Sequence, residues 1–217
     1  ATGNCFTIGA NNVSLNLNGY IVDGDDVGGD IGLYNNGWNF TYISNGIFTD
    51  FQQGLFYYDS SNVTIKNIIS NSSVDGIYFT GHLPVVSMNN RLENVTIKGN
   101  TAIGLNIQRS SNNRYDNITS AYNGAEGIYG NSASLNNVFT NIVSTNNGGD
   151  GFGAYGNLGI ILSNFTSNNN GDDGIYLESD GTILREIVAN SNVRGLRIYS
   201  GITEVTIYIF NAQGNSD

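Results

Sequence analysis

The sequence predicts an all-β fold, a single-stranded parallel β-helix in which about nine coils of 21–24 residues stack into a solenoid. The composition disfavours a helical protein and a disordered one. The 217 residues include 36 Asn, 29 Gly and 35 Ser plus Thr, which are poor helix formers, while 13 Tyr and 10 Phe argue against disorder. A glycine phrase repeated eight times, and a strand phrase in step with it, predict the solenoid.

The glycine phrase consists of Gly, a large apolar residue and usually an aromatic one. Its eight copies are separated by 22, 22, 28, 23, 24, 23 and 21 residues. The glycines are Gly32, Gly54, Gly76, Gly104, Gly127, Gly151, Gly174 and Gly195. A unit this short cannot bury an apolar face by itself, but stacked copies form a continuous core.

Strand alternation assigns the two residues after each glycine to opposite faces. The first is apolar in every copy and is expected in the core: Leu33, Leu55, Ile77, Leu105, Ile128, Phe152, Ile175 and Leu196. The second is then expected to point outward. We call these residues the aromatic file: Tyr34, Phe56, Tyr78, Asn106, Tyr129, Gly153, Tyr176 and Arg197.

The strand phrase alternates apolar with polar residues and is rich in β-branched side chains, which predicts a second set of short, half-buried strands. Its copies span residues 63–68, 115–118, 138–142, 161–165 and 184–187. An Asn four or five residues before the glycine predicts a tight left-handed corner between strands. These residues are Asn71, Asn100, Asn123, Asn146, Asn169 and Asn190.

The repeats predict one domain, residues 1–217, with a non-repeat loop at residues 80–93. This loop accounts for the single 28-residue spacing and holds the only histidine, His82, and the only proline, Pro84. An excursion from a rigid rod is either a functional loop or a tolerated insertion.

The net charge limits which partners the sequence predicts. A net charge of −10 and a pI near 4.2 disfavour nucleic acid, which needs clustered Lys and Arg. No apolar run approaches the roughly 20 residues that span a bilayer, so membrane insertion is not expected.

The run from Asn11 to Tyr20, the repeated Asp-Gly-Ile-Tyr and the Asn-rich corners resemble the right-handed parallel β-helix repeat family. That family includes the NosD-like "carbohydrate-binding and sugar hydrolysis" repeats; pectate lyases and polygalacturonases share the architecture more remotely. The resemblance covers residues 4–210 and implies a right-handed solenoid in a secreted or cell-surface protein. It implies little about function, because repeat phrases describe coil geometry and not a site.

The residue before the glycine is acidic in four coils, at Asp75, Glu126, Asp150 and Asp173. Carboxylates stacked about 5 Å apart repel unless they reach water, bind a cation or take up a proton. Glu126, Asp150 and Asp173 are therefore candidate Ca²⁺ ligands, and Asp150, Asp172 and Asp173 are candidate acids for glycosidic cleavage. The alternative is that an acidic residue simply suits the turn before glycine, with no cofactor and no catalysis.

Gly171 to Gly174, followed by Arg197, faintly resembles the Asp-Asp and Arg-Ile-Lys motifs of polygalacturonases. There is no Gly-His-Gly and no Asn-Thr-Asp, and Tyr199 stands where a lysine is expected. A lyase would need a basic residue near the sugar's α-proton, and none of the eight Lys and Arg recurs beside the acidic positions. The sequence leans against an enzyme without excluding one.

Three outward aromatic residues occupy neighbouring coils: Tyr34, Phe56 and Tyr78. Such rings can contact sugar rings or pack laterally against another subunit. The alternative is that they stack only on one another and stiffen the ladder.

Seven Asn-x-Ser/Thr sequons mark acceptor positions for N-glycosylation in a secreted protein, about the six that composition predicts by chance. They begin at Asn12, Asn39, Asn62, Asn71, Asn94, Asn117 and Asn164.

A solenoid must cover its terminal coils, because an open end exposes core and unpaired strand backbone. No amphipathic helix or polar cap flanks the first and last predicted strands, which fits either a chain excised from a longer protein or copies that stack head to tail. For the second case, we expect the contact to form through Phe6, Ile8, Ile207 and Ile209. The sequence thus favours an extracellular or cell-surface structural or adhesive protein that assembles into a filament. The alternative is a carbohydrate-binding or polysaccharide-degrading β-helix with glycans as partners.

Overall fold

The computed structural model describes residues 3–25, 28–82, 87–131 and 134–217, with only the backbone described at Asn157. The first eleven strands are β1 (Phe6–Ile8), β2 (Ser14–Asn16), β3 (Ile21–Asp23), β4 (Ile31–Asn36), β5 (Tyr42–Thr49), β6 (Gln53–Tyr58), β7 (Thr64–Asn71), β8 (Asp75–Thr80), β9 (Ser87–Met88), β10 (Arg91–Lys98) and β11 (Leu105–Gln108). The others are β12 (Ser110–Ser111), β13 (Arg114–Ala121), β14 (Ile128–Asn131), β15 (Val138–Thr145), β16 (Phe152–Leu158), β17 (Ile161–Asn168), β18 (Asp173–Asp180), β19 (Thr182–Val188), β20 (Arg194–Ile198), β21 (Val205–Ile207) and β22 (Phe210–Asn211).

Two long parallel sheets form the solenoid. Sheet A has nine strands in the order β1-β4-β6-β8-β11-β14-β16-β18-β20. Sheet B has eleven, along β2-β5-β7-β10-β13-β15-β17-β19-β21, with β3 paired to β5 and β22 to β19. Successive coils therefore stack in chain order, and the predicted parallel β-helix of about nine coils is confirmed.

The glycine phrases lie at the start of the sheet A strands and place their apolar residues as predicted. Leu33, Leu55, Ile77, Leu105, Ile128, Phe152 and Ile175 are at most 1% exposed, and Leu196 in the last coil is half-buried. A fully buried side chain of this size contributes about 1.5–3 kcal/mol. The register also aligns the aromatic file, for example Tyr34 with Phe56 and Tyr129 with Gly153.

Each long strand of sheet B bends at one residue with left-handed backbone, and in the five coils with a predicted strand phrase that residue lies inside the phrase. These residues are Asn45, Asn67, Asn94, Asn117, Asn141, Asn164 and Glu186, with φ between 50° and 58°. Asn tolerates this conformation better than most side chains. We call the six asparagines the outer Asn ladder. Several of their amides donate to the preceding coil, with Asn67 Nδ2 donating to Asn45 Oδ1 at 2.9 Å and Asn117 Nδ2 to Asn94 Oδ1 at 2.8 Å.

A second ladder is buried at the corner that leads into sheet A. We call it the inner Asn ladder: Asn100, Asn123, Asn147, Asn170, Asn192 and Asn215. Each backbone N–H of Asn123 and Asn147 donates to the Oδ1 of the ladder residue in the next coil at 3.1 Å. The Asn147 amide also donates to Asn170 Oδ1 at 3.0 Å and to Ser144 Oγ at 3.2 Å. The buried polar groups of the corner are thus paired, as burial requires.

The predicted role of the corner asparagines was correct for only two of the six. Asn146 and Asn169 adopt the left-handed conformation, whereas Ser72, Gly99 and Tyr122 adopt it in other coils. The inner ladder residue follows directly, and its side chain turns inward. A backbone bend and a buried amide are separate requirements, so the residue at the bend can vary.

From Gly76 onward, the recurring glycine is required by this inner ladder, whereas a Cβ on Gly32 or Gly54 would meet other atoms. A Cβ on Gly127 would lie 2.1 Å from Ser144 Oγ and 2.5 Å from Asn147 Nδ2. Ser144 Oγ in turn donates to the carbonyl of Gly151 at 2.6 Å. No side chain fits between the polar ladder and the start of the strand.

The predicted loop at residues 80–93 includes residues 83–86, which lie outside the described residues. Its described part contains β9, which pairs with β12 in a separate two-stranded sheet. The boundaries of the domain and of the loop stay predictions.

We expect the inner Asn ladder to contribute more stability than the outer one. Asn147→Ala should lower the free energy of unfolding by about 3 kcal/mol, because it leaves the buried Asn123 N–H without an acceptor. Asn141→Gly keeps the left-handed backbone and removes only an exposed amide, so its cost should stay within about 1 kcal/mol. Chemical denaturation of both variants checks this, and equal costs would contradict it.

Candidate functional site

The outer face of sheet A carries three files of side chains. The acid file consists of the polar residues that precede the glycines, with Ile31 and Ile103 at this position in two coils: Gln53, Asp75, Glu126, Asp150, Asp173 and Arg194. The aromatic file follows it. A third file, two residues further along each strand, contains Asn36, Tyr58, Thr80, Gln108, Asn131, Tyr155 and Glu178. Adjacent members of a file are about one strand spacing, roughly 4.8 Å, apart.

Asp150 is the carboxyl group at the centre of the acid file, and it is only 5% exposed. Its Oδ1 accepts the backbone N–H of Asp173 at 2.9 Å, and its Oδ2 accepts the Tyr155 hydroxyl at 3.0 Å. Burial raises the pKa of Asp150 to about 6, and the negative charges of Asp173 and Asp172 act in the same direction. This carboxyl group can therefore gain and lose a proton near neutral pH.

Asp173 is fully buried and is held by an arginine from the next coil. Arg194 Nε donates to Asp173 Oδ1 at 2.6 Å, and Arg194 Nη2 donates to the exposed Asp172 at 3.2 Å. Arg197 lies 3.9 Å from Asp173 Oδ2. Burial still raises the pKa of Asp173, although its bond to Arg194 opposes the shift. Asp173 is thus the member of the acid file with a fixed counter-charge.

The structure brings together only part of the predicted calcium site. Asp150, Asp172 and Asp173 each place one oxygen within 4.8 Å of the other two, an arrangement that could hold a cation, but Glu126 is outside this group among the described residues. The Asp173 carboxylate is also paired with Arg194, whose positive charge would compete with a cation. The geometry thus assembles the three predicted acids, and calcium binding by them stays a prediction.

The three aromatic residues predicted to contact a glycan stack on one another. The rings of Tyr34 and Phe56 are parallel with centroids 5.7 Å apart, and Phe56 meets Tyr78 edge to face at 5.2 Å. The stacking of Tyr34 on Phe56 covers one face of each of these two rings. Glycan or lateral contact there stays a prediction.

A second aromatic stack lies over the acid file in the later coils. The ring centroid of Tyr155 lies 5.1 Å from that of Tyr129 and 4.8 Å from that of Tyr176. The Arg197 guanidinium carbon lies 5.1 Å from the Tyr176 ring centroid. Tyr176 points outward as predicted but is only 7% exposed. Burial raises its pKa to about 12, so its phenol is protonated at neutral pH.

Residues predicted for other roles lie away from this face. For end-to-end association, Phe6 is half-buried and Ile8 is buried in the core, whereas Ile207 and Ile209 are 43% and 60% exposed. Association through them stays a prediction.

Of the seven sequons, three belong to the outer Asn ladder, at Asn94, Asn117 and Asn164. Their Nδ2 atoms already donate to the preceding ladder residue, so a glycan there would compete with the ladder. Asn12 and Asn62 are exposed, and Asn39 and Asn71 are half-buried. Glycosylation stays a prediction at all seven.

Sequence reasoning missed two residues of the site, Tyr155 and Arg194. Both leave a signal in the repeats. Gly153 interrupts the aromatic file, and a tyrosine appears two residues later. Arg194 occupies the position before the glycine where the preceding coils carry Asp150 and Asp173. A position where the repeat changes can therefore indicate a functional site, although the regular positions of the repeat do not.

The family model described as "Right handed beta helix region" matches residues 30–182 and, in a second overlapping match, residues 85–216. The chain belongs to the right-handed β-helix family. The handedness implied by the sequence resemblance is thereby confirmed. No curated protein matches the chain.

Several solved structures share the β-helix fold at low identity. The periplasmic alginate epimerase AlgG is 17% identical with a TM-score of 0.74, over 84% of this chain and 47% of that one. The A-module of Azotobacter vinelandii mannuronan C-5 epimerase AlgE4 is 14% identical with a TM-score of 0.73, over 97% and 75%. Pectate lyase Pel9A is 15% identical with a TM-score of 0.66, over 97% and 68%.

The β-helix spans about half the length of the AlgG chain. These likenesses concern the fold. In the described residues, no helix has the length and hydrophobicity of a membrane span.

The raised pKa of Asp150 predicts a pH-dependent stability. An unfolded chain releases this proton near pH 4 and the folded β-helix near pH 6, so the wild type loses stability as the pH rises between these values. Asp150→Asn cannot ionise. Its stability relative to wild type should therefore increase from about pH 4 to about pH 7, by on the order of 1–2 kcal/mol after allowance for solvent screening. Denaturation curves across this range test it, and a difference that is independent of pH would refute it.

Proposed function

We propose that this protein is a secreted polysaccharide-binding and polysaccharide-degrading β-helix that holds an extended glycan along the outer face of sheet A. Its acid–base centre is Asp150. The observation that carries the proposal is the position of this carboxyl group: its pKa is raised to about 6, and it lies in a file of acids beside a file of phenols. Perturbed carboxyl groups of this kind concentrate at functional sites.

The face has the groups that a glycan requires. Each coil from Ile31 to Glu178 places at least two carboxyl, amide or hydroxyl groups on this face, and the coils are about 5 Å apart, which is comparable to one sugar unit of an extended chain. A polymer that follows the solenoid axis would therefore meet donors and acceptors at each sugar, of a kind that differs from coil to coil. The half-buried Tyr34, Phe56 and Tyr78 would extend this surface over the earlier coils.

Asp150 and Asp172 suit the two carboxyl roles of glycoside hydrolysis. Asp150 is protonated in part near pH 6 and can donate to a glycosidic oxygen, while Asp172 is exposed and can serve as the second carboxylate. Their oxygens lie within 4.8 Å, nearer to the roughly 5 Å of retaining glycosidases than to the wider inverting pairs. Asp173, bonded to Arg194 and buried, would orient both neighbours and would not meet the sugar.

The structural neighbours support this class over a filament. Those named above are epimerases of alginate or mannuronan and a pectate lyase, and AlgG is periplasmic. Secretion fits the proposal, because long polysaccharides lie outside the cell. Head-to-tail assembly has no comparable support.

Asp150→Asn should abolish polysaccharide cleavage, with a loss of about 10²–10⁴-fold expected for a group that transfers a proton. Purified protein is incubated with a panel of neutral, acidic and amino-sugar polysaccharides, with and without EDTA. Reducing ends and unsaturated products are both measured, since only an eliminative lyase forms the latter. Binding is followed separately by affinity electrophoresis.

Glu204→Gln is the matched control, because Glu204 is an exposed carboxyl group outside sheet A. It should cleave like the wild type. Equal activity of Asp150→Asn and wild type would reject the catalytic role. Failure of every polysaccharide in the panel to bind would reject the proposed function as a whole.

A further inference from the structure

The aromatic file has one vacancy, and a residue of the third file fills it. By register, Gly153 lies between Tyr129 and Tyr176, and Tyr155 lies between Asn131 and Glu178. The Tyr155 ring centroid nevertheless lies 5.1 Å from that of Tyr129 and 4.8 Å from that of Tyr176, with the ring planes tilted by 36° in each pair. Its side chain therefore folds back across β16 into the space above Gly153.

Only a glycine leaves this space open. A Cβ on Gly153 would lie 2.7 Å from Cε2 of Tyr155, far closer than two carbon atoms approach without displacement. The pairing of β16 with β18 also shifts register between Tyr155 and Asn157, and bulges of this kind redirect side chains. The absence of a side chain at Gly153 and the register shift after Tyr155 are thus two local features of β16 that permit this position of the Tyr155 ring.

The reversal changes where the phenol points. Tyr129 and Tyr176 run from the aromatic file toward the third file: Asn131 Nδ2 donates to the Tyr129 hydroxyl at 2.6 Å, and the Tyr176 hydroxyl donates to Glu178. Tyr155 runs the opposite way and donates to Asp150 Oδ2 at 3.0 Å. A tyrosine at position 153 with the usual orientation would leave this oxygen without its donor.

We propose that Gly153 and Tyr155 form a positioning pair that fixes the outer oxygen of Asp150 on the sheet A face. Gly153 supplies the space, and Tyr155 supplies the hydrogen bond. The inference rests on the proposed function only for the use made of Asp150, and the arrangement can be tested without any activity.

The bond has a defined effect on Asp150. A phenol that donates to the carboxylate stabilises the charged form, so it lowers the Asp150 pKa against burial. Burial raises the pKa of Tyr155 far above its usual value, so the phenol keeps its proton while Asp150 titrates. The other charged groups near this pair are Asp172 and Asp173 from the next coil, which raise the Asp150 pKa, and Glu126 from the preceding one.

The test is the titration of Asp150 in protein labelled with ¹³C at its aspartate carboxyl groups, with the signal assigned by its loss in Asp150→Asn. Tyr155→Phe keeps the stacked ring and removes the donor, so the Asp150 pKa should rise by about one unit. Gly153→Ala should move it in the same direction, because the added Cβ displaces the ring. Tyr129→Phe is the control, since it removes a hydroxyl that bonds only to Asn131 among the described residues.

A rise in Tyr155→Phe and Gly153→Ala, with no change in Tyr129→Phe, supports the pair. An unchanged titration in Tyr155→Phe overturns it, and an unchanged titration in Gly153→Ala overturns the part assigned to Gly153. If cleavage is found, the pH–rate profile should shift with the titration. If no polysaccharide is cleaved but the titration moves, the pair stands and only the proposed function fails.

Discussion

The hydrogen bond from a buried corner amide to the next coil is the interaction on which the rest of this structure depends. The side-chain oxygen of each inner ladder asparagine accepts a hydrogen bond from a backbone N–H of the neighbouring coil. Its side-chain NH₂ group donates to buried oxygens. Leaving such a group unpaired costs more than an ordinary bond contributes, so the ladder tolerates only one alignment of successive coils. The apolar core then fills the space that this alignment defines. From Gly76 onward, the recurring glycine follows from the same contact, because a Cβ at that position would overlap the ladder.

The functional face is a consequence of that alignment. Since every coil is placed in the same register, residues before and after the glycine form continuous files on sheet A, and their side chains interact in pairs along the solenoid. A regular file alone would only repeat the same contact. The chemistry arises where the file changes: Gly153 admits a ring from the neighbouring file, and Arg194 puts a positive charge at a position that is acidic in the preceding coils.

The electrostatics of the face follow from two competing effects. Burial removes hydration from the carboxyl groups of Asp150 and Asp173 and raises their pKa values, and neighbouring negative charges add to the shift. The protein offsets this differently at the two positions: a phenol and a backbone amide at Asp150, and a guanidinium at Asp173. One carboxyl group is left able to exchange a proton near neutral pH, while the other has a fixed ionic partner. This asymmetry separates a group that can act on a ligand from one that holds its neighbours.

The sequence by itself determined the solenoid, the coil length, the inward file and the position of the acid file, because a period of 21–24 residues with strand alternation leaves few other folds. It could not show that Asn67 and its equivalents bend sheet B, nor that Asn147 is buried while Asn146 is exposed, since adjacent asparagines look alike until a core assigns them sides. Only the tertiary structure brought Tyr155 to Asp150 and Arg194 to Asp173. The repeat register places Arg194 beside Asp173 but does not show that their side chains meet, and the reversal of the Tyr155 side chain along β16 depends on the space above Gly153.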